Sequence, residues 1–192
     1  MMEKKIVYRI FTIADYEREA LYFREMHAKG WKLRKVSYSI LLFAVKYTFE
    51  KCHPEQVSYQ LDFYPMEKSE RASYLQLFKD CGWEHITDFN GFSYFRKLHS
   101  GIELDAEFEI YNDAAGKLAM VKRILTRRML PILLLFLALL PVFSKFVTGG
   151  SSFSWEMFLI VIIDGVLLIV HSIQMSYIFW RLFQKWKELS DK

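Results

Sequence analysis

The sequence predicts an α+β module followed by a two-helix transmembrane hairpin. Three observations predict it. A strand–helix–strand–strand order occurs twice in residues 1–99, at about 5–51 and 57–97, with each helix ending in Gly-Trp. Strands alternate in period two, so the helices are expected to cover one face of an antiparallel sheet. Two long apolar runs, 129–147 and 156–180, follow the module.

In chain order, Lys5–Thr12 alternates and is rich in β-branched and aromatic residues, which predicts a strand. Asp15 is placed to cap a helix to Lys29 that buries Tyr16, Tyr22, Phe23 and Met26. Gly30 ends it. Strands follow at Trp31–Tyr38 and Ile40–Lys51, and, after the His53-Pro54-Glu55 turn, at Val57–Phe63. The last of these sets Val57, Tyr59, Leu61 and Phe63 against Ser58, Gln60 and Asp62. A second helix is predicted over 67–81, with Tyr74, Leu77, Phe78 and Cys81 as its buried stripe. Gly82 closes it, and Trp83–Phe89 and Phe92–Lys97 form a hairpin around Asn90-Gly91.

Residues 100–128 read as a linker and a basic amphipathic helix, and 181–192 as a basic tail. The run 129–147 lacks charge between Arg128 and Lys145, and Asp164 is the formal charge of the second run. Arg127, Arg128, Arg181, Lys185 and Lys187 flank the hairpin, while its Thr148–Ser154 turn has no Lys or Arg. That asymmetry places both termini in the cytoplasm, with the hairpin in the cell membrane. Asp164 and His171 lie two helical turns apart, with Gln174 one turn further. They form an intramembrane polar set suited to contact with another helix, whether from a second copy or a different membrane protein. The lipid bilayer is therefore an expected partner.

Net charge is +4, concentrated beside the apolar runs, which suits an anionic leaflet. Basic residues do not cluster with aromatics on one strand, so nucleic acid is not an expected partner. The sequence opens into a strand pattern, so no signal peptide is predicted. The two cysteines, Cys52 and Cys81, have no metal-site spacing. No metal or other cofactor is expected. There is no phosphate loop, dinucleotide-binding glycine pattern, HExxH or Gly-x-Ser-x-Gly, so no enzyme is predicted. Tyr8, Tyr47, Glu50, Tyr59, Asp62 and Tyr94 are the candidate ligand-binding residues: aromatics that could face a cleft, with two carboxylates on neighbouring strands able to meet a cation. His27 borders the buried stripe of the first helix and reads as a packed histidine.

The doubled unit is similar in element order to duplicated SHS2, or GyrI-like, domains, and to a pair of ferredoxin-like half-units. GyrI-like domains often hold a small ligand between their halves. Residue by residue, Tyr8-Arg9-Ile10-Phe11, Glu25-Met26-His27-Ala28-Lys29-Gly30-Trp31, Phe49-Glu50-Lys51, Tyr59-Gln60-Leu61-Asp62, Asp80-Cys81-Gly82-Trp83 and Tyr94-Phe95-Arg96-Lys97 resemble the bacterial family Domain of Unknown Function 2812. The resemblance implies a cytoplasmic module followed by transmembrane helices, often encoded near PadR-like regulators, with no established activity. The expectation is an integral membrane protein whose module senses a small molecule or protein and regulates through its tether. The alternative is an accessory subunit of a membrane complex or transporter.

Overall fold

The computed structural model describes residues 3–39, 44–65, 67, 69–99, 114–134, 137–138 and 155–190. The chain divides into two units, Met1–Met120 and Val121–Lys192.

The first unit holds β1 (Lys4–Arg9), α1 (Tyr16–Ala28), β2 (Trp31–Tyr38), β3 (Val45–Lys51), β4 (Val57–Phe63), α2 (Arg71–Asp80), β5 (Glu84–Phe89) and β6 (Phe92–Leu98). The strands form two antiparallel three-stranded sheets, ordered β1-β3-β2 and β4-β6-β5. Each half thus has the same strand order, with its last strand in the middle. Each sheet also carries one register irregularity in its second strand, between Leu33 and Lys35 and between His85 and Thr87.

A short 3-10 turn, Ile13–Asp15, precedes α1. Asp15 closes a capping box from inside this turn, its carboxylate accepting the Thr12 amide at 3.0 Å. The helix packs against both sheets, because Phe23 meets Tyr47 and Phe49 of β3, Tyr59 of β4 and Tyr94 of β6. The second helix lies on the other face of the second sheet, where Phe78 stacks on Phe95 at 4.3 Å between ring centroids. Both faces of β4 are therefore covered, and Asp62 is as buried as Leu61. The expected stripe of α2 is only partly used: Tyr74 and Phe78 pack on the sheet, while Leu77 and Cys81 are exposed. No α2 residue is fully buried, since among the described residues the helix is packed on one face alone.

Two glycines are required by geometry. Gly30 has φ +81°, and a Cβ there would sit 3.1 Å from the Cys52 carbonyl oxygen, whose own amide donates to Gly30 O. Gly91 has φ +86°, and a Cβ there would sit 2.7 Å from the ring of buried Phe63. Gly91→Ala is expected to destabilise by about 2 kcal/mol or more, combining left-handed strain with overpacking. Equilibrium denaturation checks this, and a loss below about 0.5 kcal/mol would refute it.

The second unit takes up the end of α3 (Ala114–Ile124), a π-helical turn over Leu125–Met129, and α4 (Trp155–Ser190). Here the expected membrane hairpin is overturned. Among the described residues, no helix is long and apolar enough to cross a membrane. The run 129–147 is described over 129–134 and 137–138. The described positions of α4 mix Ser172, Ser176, Tyr177 and Arg181 among its apolar residues. The integral membrane protein expected on the strength of that hairpin, and the tethered sensor and membrane-complex subunit built on it, fall with it. The fold is α+β, with two antiparallel three-stranded sheets and helices. The Thr148–Ser154 turn and the linker over 100–113 lie outside the described residues.

Candidate functional site

The six candidate ligand residues divide into three places. Tyr47, Tyr59 and Tyr94 are brought together around Phe23 and are buried. Tyr8 and Glu50 lie on the face of the first sheet that points away from α1. Asp62 lies on the α2 side of the second sheet, where it accepts the Tyr74 hydroxyl at 2.7 Å. Glu50 and Asp62 thus belong to different sheets and do not converge on one ligand, because each half pairs its strands within itself. Asp164, His171 and Gln174 fall on the backbone of α4, and their side chains lie outside the described residues.

Around Phe23 the structure assembles polar groups that the periodicity of α1 did not single out. Glu19 Oε1 accepts the Tyr47 hydroxyl at 2.8 Å and the Tyr94 hydroxyl at 3.0 Å, one from each sheet. Burial pushes the Glu19 carboxyl up from about 4.5 to about 7, against the lowering effect of the two tyrosine hydrogen bonds. The Tyr47 and Tyr94 phenols are pushed up by burial and by the Glu19 charge.

One turn and more along α1, His27 is buried with its Nδ1 2.9 Å from the Tyr59 hydroxyl. The same hydroxyl accepts the Leu33 amide at 3.3 Å. Arg96, directly opposite Tyr59 in the β4–β6 ladder, pairs with Glu84. Burial, then the positive charges of Arg96 and Lys32, hold His27 below its ordinary pKa, which keeps the ring neutral at pH 7. Burial also pushes the Cys52 thiol up, the opposite of what an activated nucleophile needs. Among the described residues, no group of three or more His, Cys, Asp or Glu could hold a metal ion. Sequence reading placed His27 as packed and missed Glu19; the signal was its position four residues before Phe23 on the same helical face.

The outward face of the first sheet is read directly from the register. Its cross-strand rows are Lys4–Glu50–Lys32, Ile6–Thr48–Lys35 and Tyr8–Lys46–Ser37. Ile6 and Tyr8 are each 51 % exposed, and Lys4 and Lys35 are exposed beside them. Four lysines thus share one face with a single carboxylate, which also meets Arg34 at 3.8 Å.

In the second unit, Leu125, Met129, Leu130 and Leu133 face Met175 and Phe179 of α4 across an apolar cavity of about 430 Å³, with Thr126, Ser172 and Ser176 in its wall.

No curated protein and no solved structure matches the chain. A family model described as a protein of unknown function, DUF2812, matches residues 15–135, which takes in every strand and helix of the doubled module after β1. That span is well over half of the 192 residues, and the chain belongs to the DUF2812 family.

Proposed function

We propose that the first unit is a binding domain that does no chemistry of its own and recognises an acidic protein segment through the open face of its first sheet. One observation carries this reading: Lys4, Lys32, Lys35 and Lys46 share that face with exposed Ile6 and Tyr8, while the opposite face is packed on α1. Lysines supply long-range attraction and orientation, and the two exposed apolar side chains supply contact area. An acidic polypeptide suits the face better than a nucleic acid. Platforms for single strands stack successive bases on several aromatics, and this face offers Tyr8 alone among the described residues. The absence of catalysis in this reading is supported by the raised Cys52 thiol and by a Glu19 carboxylate already occupied by two tyrosines.

The test uses the full chain and two probes, a polyglutamate peptide and a single-stranded oligonucleotide, each measured at low and high salt. Saturable binding of polyglutamate that weakens with salt, and that falls roughly tenfold or more in the Lys35→Glu, Lys46→Glu double variant, is expected. No binding, or binding untouched by the double reversal, overturns the reading. Stronger binding of the oligonucleotide would assign the face to nucleic acid instead.

A further inference from the structure

The open face of the first sheet ends in a free edge, and the same residues make both. In each half the first strand is an outer strand of its sheet, β1 in the order β1-β3-β2 and β4 in the order β4-β6-β5. The two are covered differently. β4 is buried at every position but Gln60, while β1 is exposed at every position but Val7. Among the described residues, no strand pairs with β1 on the side away from β3. The register shows which backbone groups line that side. Lys51 donates its amide to the Glu3 carbonyl oxygen at 3.0 Å, in step with the ladder that sets Lys5 against Phe49, Val7 against Tyr47 and Arg9 against Val45. In an antiparallel ladder, pairs that exchange hydrogen bonds alternate with pairs that do not. Lys5, Val7 and Arg9 therefore turn their N–H and C=O groups to β3, and Lys4, Ile6 and Tyr8 turn theirs to the free edge. The side chains of Lys4, Ile6 and Tyr8 also belong to the open face.

We infer that the free edge of β1 takes up an extended acidic segment as an added antiparallel strand, bonded through its backbone to Lys4, Ile6 and Tyr8. This strand is the acidic segment proposed above, so the inference rests on that reading and gives the partner's form and pattern. Strand addition draws affinity from main-chain hydrogen bonds and specificity from alternate side chains. Residues directly opposite each other in such a pair are neighbours, and like charges there repel. Lys4, Lys5 and Arg9 thus favour carboxylates opposite them, and Ile6, Val7 and Tyr8 favour apolar or β-branched residues. Read along the partner's own direction, the pattern is one acidic residue, three apolar or β-branched residues, then two acidic residues. A second copy of β1 suits the edge less well, because it would set two basic strands side by side, the arrangement that edge lysines oppose.

The test uses the full chain, the end-blocked peptide Glu-Val-Thr-Val-Glu-Glu, and a copy of that peptide N-methylated at its second, fourth and sixth residues, which would face Tyr8, Ile6 and Lys4. Binding and residue-by-residue amide hydrogen exchange are both measured. Saturable binding of the unmodified peptide is expected, with exchange at the Ile6 and Tyr8 amides slowed about tenfold or more. The Lys5, Val7 and Arg9 amides, already bonded to β3, should change less. N-methylation should weaken binding about tenfold or more, since it removes the peptide's main-chain donors. Binding that leaves exchange at Ile6 and Tyr8 unchanged, or that N-methylation does not weaken, overturns strand addition and leaves the acidic-segment reading of the face standing. Binding of polyglutamate without binding of the hexapeptide does the same. If neither acidic peptide binds, both fall together. Slow exchange at Ile6 and Tyr8 in the chain alone would show the edge already occupied, by a second copy if it grows with protein concentration, and also overturns the inference.

Discussion

Phe23→Ala is expected to destabilise the first unit by about 3–5 kcal/mol, the range for removing a large aromatic from a well-packed core. Phe23 has no exposed surface, and its ring lies 5.3–6.2 Å from those of Tyr47, Phe49, Tyr59 and Tyr94. Those four rings come from three strands in two sheets, so the void cannot be closed by one side chain turning inward. Each lost aromatic pair adds about 0.5–1.5 kcal/mol beyond area alone. The loss is large enough to leave a domain of ordinary stability, about 5–15 kcal/mol, marginal. Phe23→Leu should recover more than half of it. Urea unfolding followed by tyrosine and tryptophan fluorescence measures both. A loss below about 1 kcal/mol for Phe23→Ala would mean that the two sheets do not depend on α1 for their contact.

Glu19→Gln should be more stabilising the higher the pH. In the folded chain the Glu19 carboxyl is pushed up to about 7, while the unfolded chain titrates near 4.5. A raised carboxyl contributes stability that is fully present below the unfolded value and is lost as pH rises through the folded one. Between about pH 4.5 and 7 the wild-type chain therefore loses stability on the order of 3 kcal/mol from this group. Glutamine keeps a carbonyl oxygen for Tyr47 and Tyr94 and has no charge to bury. The stability difference between variant and wild type should then grow by about that amount from pH 4.5 to pH 8. All other titrating groups are shared by the two proteins and cancel in the difference. A difference that stays flat across this range would show that Glu19 titrates normally and that its burial is relieved in solution.

The secondary structure was readable because it depends on short-range pattern. Period-two alternation in Val57–Phe63 and glycine at residues 30, 82 and 91 with positive φ are local facts. The doubled unit was readable for the same reason. The alternation in β4 says which residues share a face, and it is silent on what covers each face. Asp62 therefore read as a solvated carboxylate able to meet a ligand, and it is buried against Tyr74 because α2 lies on that side. Leu77 read as core and is 63 % exposed, because among the described residues α2 has a neighbour on one side alone. The apolar runs beyond residue 128 satisfied a rule of length and apolarity for membrane spans, and among the described residues no helix is both long and apolar enough to meet it.

By itself, the sequence determined the order of the elements in the doubled module, their boundaries to within a few residues, and the repeat. Those follow from propensities and side-chain periods that act over a few residues. Only the tertiary structure decided where the polar groups meet. Tyr47 is 28 residues from Glu19 and Tyr94 is 75, and both hydroxyls reach the same carboxylate oxygen. Tyr59 reaches His27 across 32 residues in the same way. Such meetings depend on how two sheets close over one helix, a long-range outcome of packing that no window of neighbouring residues encodes.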